Sequence, residues 1–133
     1  MGTTRRLKTI LLVDDDPDIR EATGSLLRES GYFVETAANG VEALDSLRSS
    51  GAINLVLLDL NMPRMNGFEF RERQLADATL AAIPVIAVTA YGQLAEQTAR
   101  LGPLPCLHKP VDADELIRLI EKLTEPSDPR RSA

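Results

Sequence analysis

Four carboxyl-bearing positions, one hydroxyl and one amine stand out in this sequence for where they fall. Asp14, Asp15 and Asp16 follow the apolar run TILLV, and Asp59 ends the most hydrophobic run of the chain, LVLLD. A buried carboxylate without a partner costs several kcal/mol or loses its charge, so an acid at the end of such a run reaches solvent or has a cationic partner. Both outcomes suggest a site. Carboxylates held together repel, and their oxygen-only ligand set selects a hard cation such as magnesium over zinc, which takes His or Cys. The chain has one His, His108, and one Cys, Cys106. Thr89, at the end of VIAVT, and Lys109, in the segment HKP, add a hydroxyl donor and a point positive charge suited to a carboxylate or a phosphoryl oxygen. Together these groups suit phosphoryl transfer. An ionised carboxylate attacks phosphorus without a general base, and the protein then supplies mainly alignment and charge neutralisation.

The elements that must position these residues follow from hydrophobic periodicity. Residues 9–13 and 53–59 are short apolar runs without polar alternation, as are residues 84–89, and residues 32–37 (YFVETA) are β-rich. Helices are expected between them. Asp16 caps the first, with Pro17 at its first position, Ile19, Ala22, Thr23, Leu26 and Leu27 on one face, and Gly31 as its stop. Asn39 and Gly40 open the second, with Val41, Leu44 and Leu47 on one face and Ser49, Ser50 and Gly51 as its close. After the turn signals Met62-Pro63 and Asn66-Gly67, residues 68–78 read as a third helix of weak amphipathicity, and residues 93–101 read as a fourth. At most a short strand is expected around residues 104–107. Asp112 and Glu115 form a capping-box pair before the last helix, whose apolar face is Leu116, Ile120 and Leu123.

Five alternations of strand and helix predict an α/β fold, a doubly wound, five-stranded parallel sheet in the flavodoxin-like order 2-1-3-4-5 with five helices on both faces. In that order the strand sequence reverses between the first and third strands, which end in Asp14-Asp15 and Asp59. The topology alone therefore gathers three carboxylates at one crevice.

The length of 133 residues suits a single domain, expected over residues 7–124, with a flexible N-terminus at 1–6 and a disordered tail at 125–133. A net charge of −5, from 20 acidic and 15 basic residues, disfavours direct nucleic-acid binding. The sequence contains neither a signal-peptide core nor a run of membrane-spanning length, and one cysteine fits a reducing compartment, so a cytoplasmic location is expected. Cys106 reads as a small core hydrophobe, His108 as a neighbour of the site, and Asp16 as a helix cap.

The segments VDDD, LLDLNMPRMNG, VTA and HKP, in this order over residues 7–124, resemble the receiver domain of two-component response regulators. The resemblance implies that Asp59 is the phosphoacceptor, taking a phosphoryl group from the phosphohistidine of a sensor histidine kinase or His-phosphotransfer protein. It implies magnesium, or alternatively manganese, held by Asp15 as main ligand, Asp14 in support, Asp59, and the backbone carbonyl of Asn61. Thr89 would donate its hydroxyl to the phosphoryl group, Lys109 would pair with it, and the Lys109-Pro110 bond corresponds to one that is cis in the family. The family's aromatic switch position, three residues before the lysine, is Cys106 here, which leaves Tyr91 as a substitute that also tunes phosphoryl lifetime. Output is expected through a protein bound on the face formed by the fourth helix, fifth strand and fifth helix, or through a phosphorelay, from a monomer or a weak phosphorylation-linked dimer. Two rivals are a degenerate receiver that binds partners constitutively and a small-molecule magnesium-dependent phosphotransferase. The second lacks an acid two residues after Asp59, where Asn61 stands.

Overall fold

A computed structural model of the chain describes residues 8–60, 67–89 and 105–124. Its five strands are β1 (Thr9–Val13), β2 (Phe33–Ala37), β3 (Leu55–Asp59), β4 (Val85–Thr89) and β5 (Cys106–His108). Four helices are described, namely α1 (Pro17–Glu29), α2 (Gly40–Ser50), α3 (Gly67–Ala76) and α4 (Ala113–Thr124). All strand pairs are parallel, in the order β2-β1-β3-β4-β5. The expected doubly wound sheet is therefore present. The helix expected over residues 93–101 and both chain ends lie outside the described residues.

Polar alternation is missing from the central strands because both of their faces are covered. Leu11, Val13, Val56, Leu58 and Ala87 point to a core closed by Ala43, Leu44 and Leu47 of α2 and Phe70 of α3. Their strand neighbours Ile10, Leu12, Leu57, Ile86 and Val88 point to the opposite core, closed by Leu27 of α1 and by Leu116 and Ile120 of α4. Each of the valine, leucine, isoleucine and phenylalanine side chains among these contributes about 1.5–3 kcal/mol by leaving water. A one-residue slip of any central strand would exchange the two sets, so packing fixes the register that aligns the strand ends.

Helix ends follow the expected local chemistry. Asp16 accepts from the Asp18 and Ile19 amides at 2.9 and 3.3 Å, and Pro17 occupies the first turn of α1. The chain leaves α1 through Gly31 at φ 99°, a left-handed conformation that glycine adopts without a Cβ clash. Asn39 accepts from Glu42 N at 2.9 Å while the Glu42 carboxylate accepts from Ala38 N at 3.0 Å. Asp112 caps α4 by accepting from Glu115 N at 3.0 Å.

Three expectations are corrected. Ile19 is 40% exposed and Ala22 also faces solvent; Leu27 is buried as expected, Thr23 and Leu26 are half-buried, and Gly24 joins Leu27 on the buried face of α1. Val41 is 49% exposed, and the inner face of α2 is Gly40, Ala43, Leu44 and Leu47. The short last strand expected around residues 104–107 is present with shifted bounds, from Cys106 to His108, since pairing of Thr89 with His108 carries it one residue further.

Candidate functional site

The strands deliver their C-terminal residues to one edge of the sheet. Asp14 and Asp15 directly follow β1, Asp59 is the last residue of β3, Thr89 is the last of β4, and Lys109 directly follows β5. Between β1 and β3 the winding direction reverses, and connections on opposite sides of the sheet leave a crevice there. Carboxylate oxygens of Asp14, Asp15 and Asp59 lie within 4.8 Å of one another. Asp59 is 3% exposed, Asp14 is similarly buried, and Asp15 faces solvent.

Backbone and side-chain bonds hold this cluster against its own repulsion. Asp14 N donates to Ala37 O at 3.1 Å, Asp14 Oδ1 accepts from Asp16 N at 2.9 Å, and Arg20 Nη1 donates to Asp14 O at 2.7 Å. Lys109 Nζ lies 3.3 Å from Asp59 Oδ2, and Lys109 N donates to Thr89 O at 2.9 Å, which ties the β5 exit to β4. The Lys109-Pro110 peptide is cis, as expected. Burial, opposed by the Asp16 amide and reinforced by the charges of Asp59 and Asp15, raises the Asp14 carboxyl above its ordinary value. That imbalance fits a divalent cation. Three convergent carboxylates with oxygen donors alone match magnesium, and a 2+ ion would favour the charged form of Asp14 against the burial, and the lesser repulsion from Asp59 and Asp15, that raise it.

Below the acids opens a cavity of about 460 Å³ between α1 and α4, whose walls include Ile19, Leu26, Val111 and Leu116. Its polar rim is Asp14, Asp59 and Lys109. Thr89 is fully buried at the end of β4. Cys106 is half-buried at the start of β5 and burial pushes its thiol up, which keeps it a neutral packing group. His108 is exposed and Asp16 serves α1 as its cap. Asn61 and Tyr91 lie outside the described residues. Sequence reasoning missed Arg20. Its signal was available, because helical side chains lean towards the N-terminus and a basic residue in the first turns of α1 reaches back to the loop before it.

The model of the response regulator receiver domain family matches residues 10–121. Response regulator Rre1 of Synechocystis is 37% identical over 118 residues, 86% of this chain and 51% of that protein. The transcriptional regulatory protein CpxR homolog of Haemophilus influenzae is 39% identical over 129 residues, 96% of this chain and 52% of that one. The chain thus spans about half the length of these curated relatives. Among solved structures, the receiver domain of sensor histidine kinase PA1611 from Pseudomonas aeruginosa, with a magnesium ion coordinated in its active-site cleft, superposes with a TM-score of 0.80. It is 28% identical, covering 88% of this chain and 97% of that one. The chain belongs to the response regulator receiver domain family. It is therefore built as a module of two-component signal transduction, and such modules are signalling switches.

Proposed function

We propose that this chain is a magnesium-dependent phosphorylation switch that accepts a phosphoryl group on Asp59 from a phosphohistidine. The observation that carries the reading is the convergence of Asp14, Asp15 and Lys109 on the buried Asp59. An Asp59 carboxylate oxygen attacks phosphorus, the P–N bond breaks, and its electron pair returns to the imidazole, which takes up a proton from solvent. Asp14, Asp15, Asp59 and the Asn61 carbonyl would hold magnesium, whose chemistry there is neutralisation of phosphoryl charge. Lys109, now paired with Asp59, turns its charge to a phosphoryl oxygen, and the Thr89 hydroxyl donates to another. The donor is a sensor histidine kinase or His-phosphotransfer protein of the cytoplasm, and a domain over residues 7–124 passes the signal to a protein partner or along a relay. Tyr91 limits the approach of water to the product and substitutes for the aromatic switch, whose usual position is held by Cys106. Among the described residues no helix is long and apolar enough to cross a membrane.

Intact mass after incubation with acetyl phosphate, with and without magnesium, tests this on the wild type and on Asp59→Asn. The expected result is one added phosphoryl group that requires both magnesium and Asp59. No addition to the wild type rejects the switch and favours the constitutive binding module.

A further inference from the structure

Helix α3 departs from the apolar-inside pattern at three positions after Phe70. Gln74 is fully buried and Arg71 half-buried, whereas Leu75 is 49% exposed. Local rules of this kind are broken where another constraint outweighs them. For Gln74 the constraint is visible: its amide donates to Leu80 O at 3.0 Å and to Ile83 O at 2.9 Å, fastening the loop before β4. Its oxygen accepts from Arg71 Nη1 at 2.8 Å.

Arg71 is not explained in the same way. A neutral amide oxygen is its one hydrogen-bond acceptor among the described residues, its Nε is buried without a partner, and no described carboxylate forms an ion pair with it. A charge left partly buried without a counterion is costly, and an apolar side chain would fill the same space without that cost. Beside it lies a pocket of about 170 Å³, several times the roughly 30 Å³ share of a water molecule. Arg71 provides the charge in its wall, and Ala81, Ala82, Ile83, Pro84 and Leu123 provide an apolar remainder.

We propose that this pocket binds a short-chain aliphatic carboxylate, with the carboxylate on the Arg71 guanidinium and the hydrocarbon against residues 81–84 and Leu123. With Nη1 engaged by Gln74 and Nε buried, the carboxylate accepts from the remaining guanidinium N–H groups, and the apolar walls favour a ligand whose other end is hydrocarbon over inorganic anions. The site is separate from the acidic crevice. It borders Val85, the first residue of β4, whereas Thr89 ends that strand four residues on, roughly 13 Å away at the rise of a β-strand.

An amide NMR titration of the full chain with isovalerate, in a zwitterionic buffer, tests the proposal, with neutral isovaleramide as the isosteric control. The expected result is saturable shifts centred on residues 81–84, with affinity roughly tenfold weaker for isovaleramide on the wild type and likewise weaker for isovalerate on a folded Arg71→Met variant. Asp59→Asn leaves the titration unchanged. The proposal is overturned by an absence of saturable shifts, by equal responses to acid and amide, or by shifts centred on Lys109. The acid–amide comparison on the wild type decides the matter even where Arg71→Met does not fold.

Discussion

Lys109 Nζ lies 3.3 Å from Asp59 Oδ2, although the two residues are 50 positions apart and leave the sheet on strands separated by β4. Asp59 is 3% exposed and the lysine one-third exposed, so the pair offsets a charge that the crevice would otherwise hold unbalanced. Removing the lysine leaves the acid without that partner. Lys109→Met is expected to lose about 1–2 kcal/mol in urea unfolding with a chelator present, a value discounted for the lysine's exposure. Adding Asp59→Asn to that variant restores most of the loss. An undiminished loss in the double variant would show that packing of the lysine stem, not charge, was being measured.

The raised Asp14 carboxyl sets a pH dependence. Its native form holds a proton more tightly than the unfolded chain, whose value is near 3.8. Between that value and the higher native one the native state binds more protons, so this group's contribution to stability falls as pH rises through the window. Asp14→Asn is therefore expected to unfold at a higher temperature than the wild type at neutral pH without divalent cations. The difference closes as pH falls towards 3.8. Magnesium raises the wild type more than the variant, and a gap independent of pH would contradict the assignment to Asp14.

The sheet and its acidic edge were legible because they depend on patterns that burial enforces directly. An unbroken apolar strand ending in an acid, as in LVLLD, reads as a central strand reaching a surface, and order along the chain then gathers Asp14, Asp15, Asp59, Thr89 and Lys109. Helix faces were less legible. Large apolar residues suggested Ile19 and Val41 as inward, yet Gly24 beside Leu27 and Gly40 and Ala43 beside Leu44 and Leu47 are the buried positions, and glycine or alanine carries too little hydrophobic signal to mark a face in sequence. The inward Gln74 was hidden for the opposite reason: its partners are backbone carbonyls of a loop, which no side-chain pattern encodes.

Helix α2 closes at Gly51, whose φ of 67° lies in the left-handed region. A Cβ built there meets no atom within 4 Å, so the cost of a side chain is conformational and not steric. Gly51→Ala is expected to lose about 1 kcal/mol in thermal or urea unfolding, with phosphoryl uptake unchanged. A loss several times larger would mean that the α2–β3 connection rearranges.

Asp15 and Asp16 are adjacent acids with opposite consequences. Asp16 gives its carboxylate to two amides at the start of α1, and Asp15 places a carboxylate oxygen within 4.8 Å of those of Asp14 and Asp59. Asp16→Ala is expected to cost about 1 kcal/mol of stability while magnesium affinity, followed by isothermal titration calorimetry, stays within a few-fold of wild type. Asp15→Ala removes an exposed charge from a repelling cluster, so stability without metal holds or rises slightly, while magnesium affinity falls at least tenfold, equivalent to about 1.4 kcal/mol. The contrast carries the argument because both substitutions remove one negative charge from the same turn, and a general field effect would weaken magnesium binding alike in both. Equal losses of affinity would therefore assign the turn as a whole, not Asp15, to the metal.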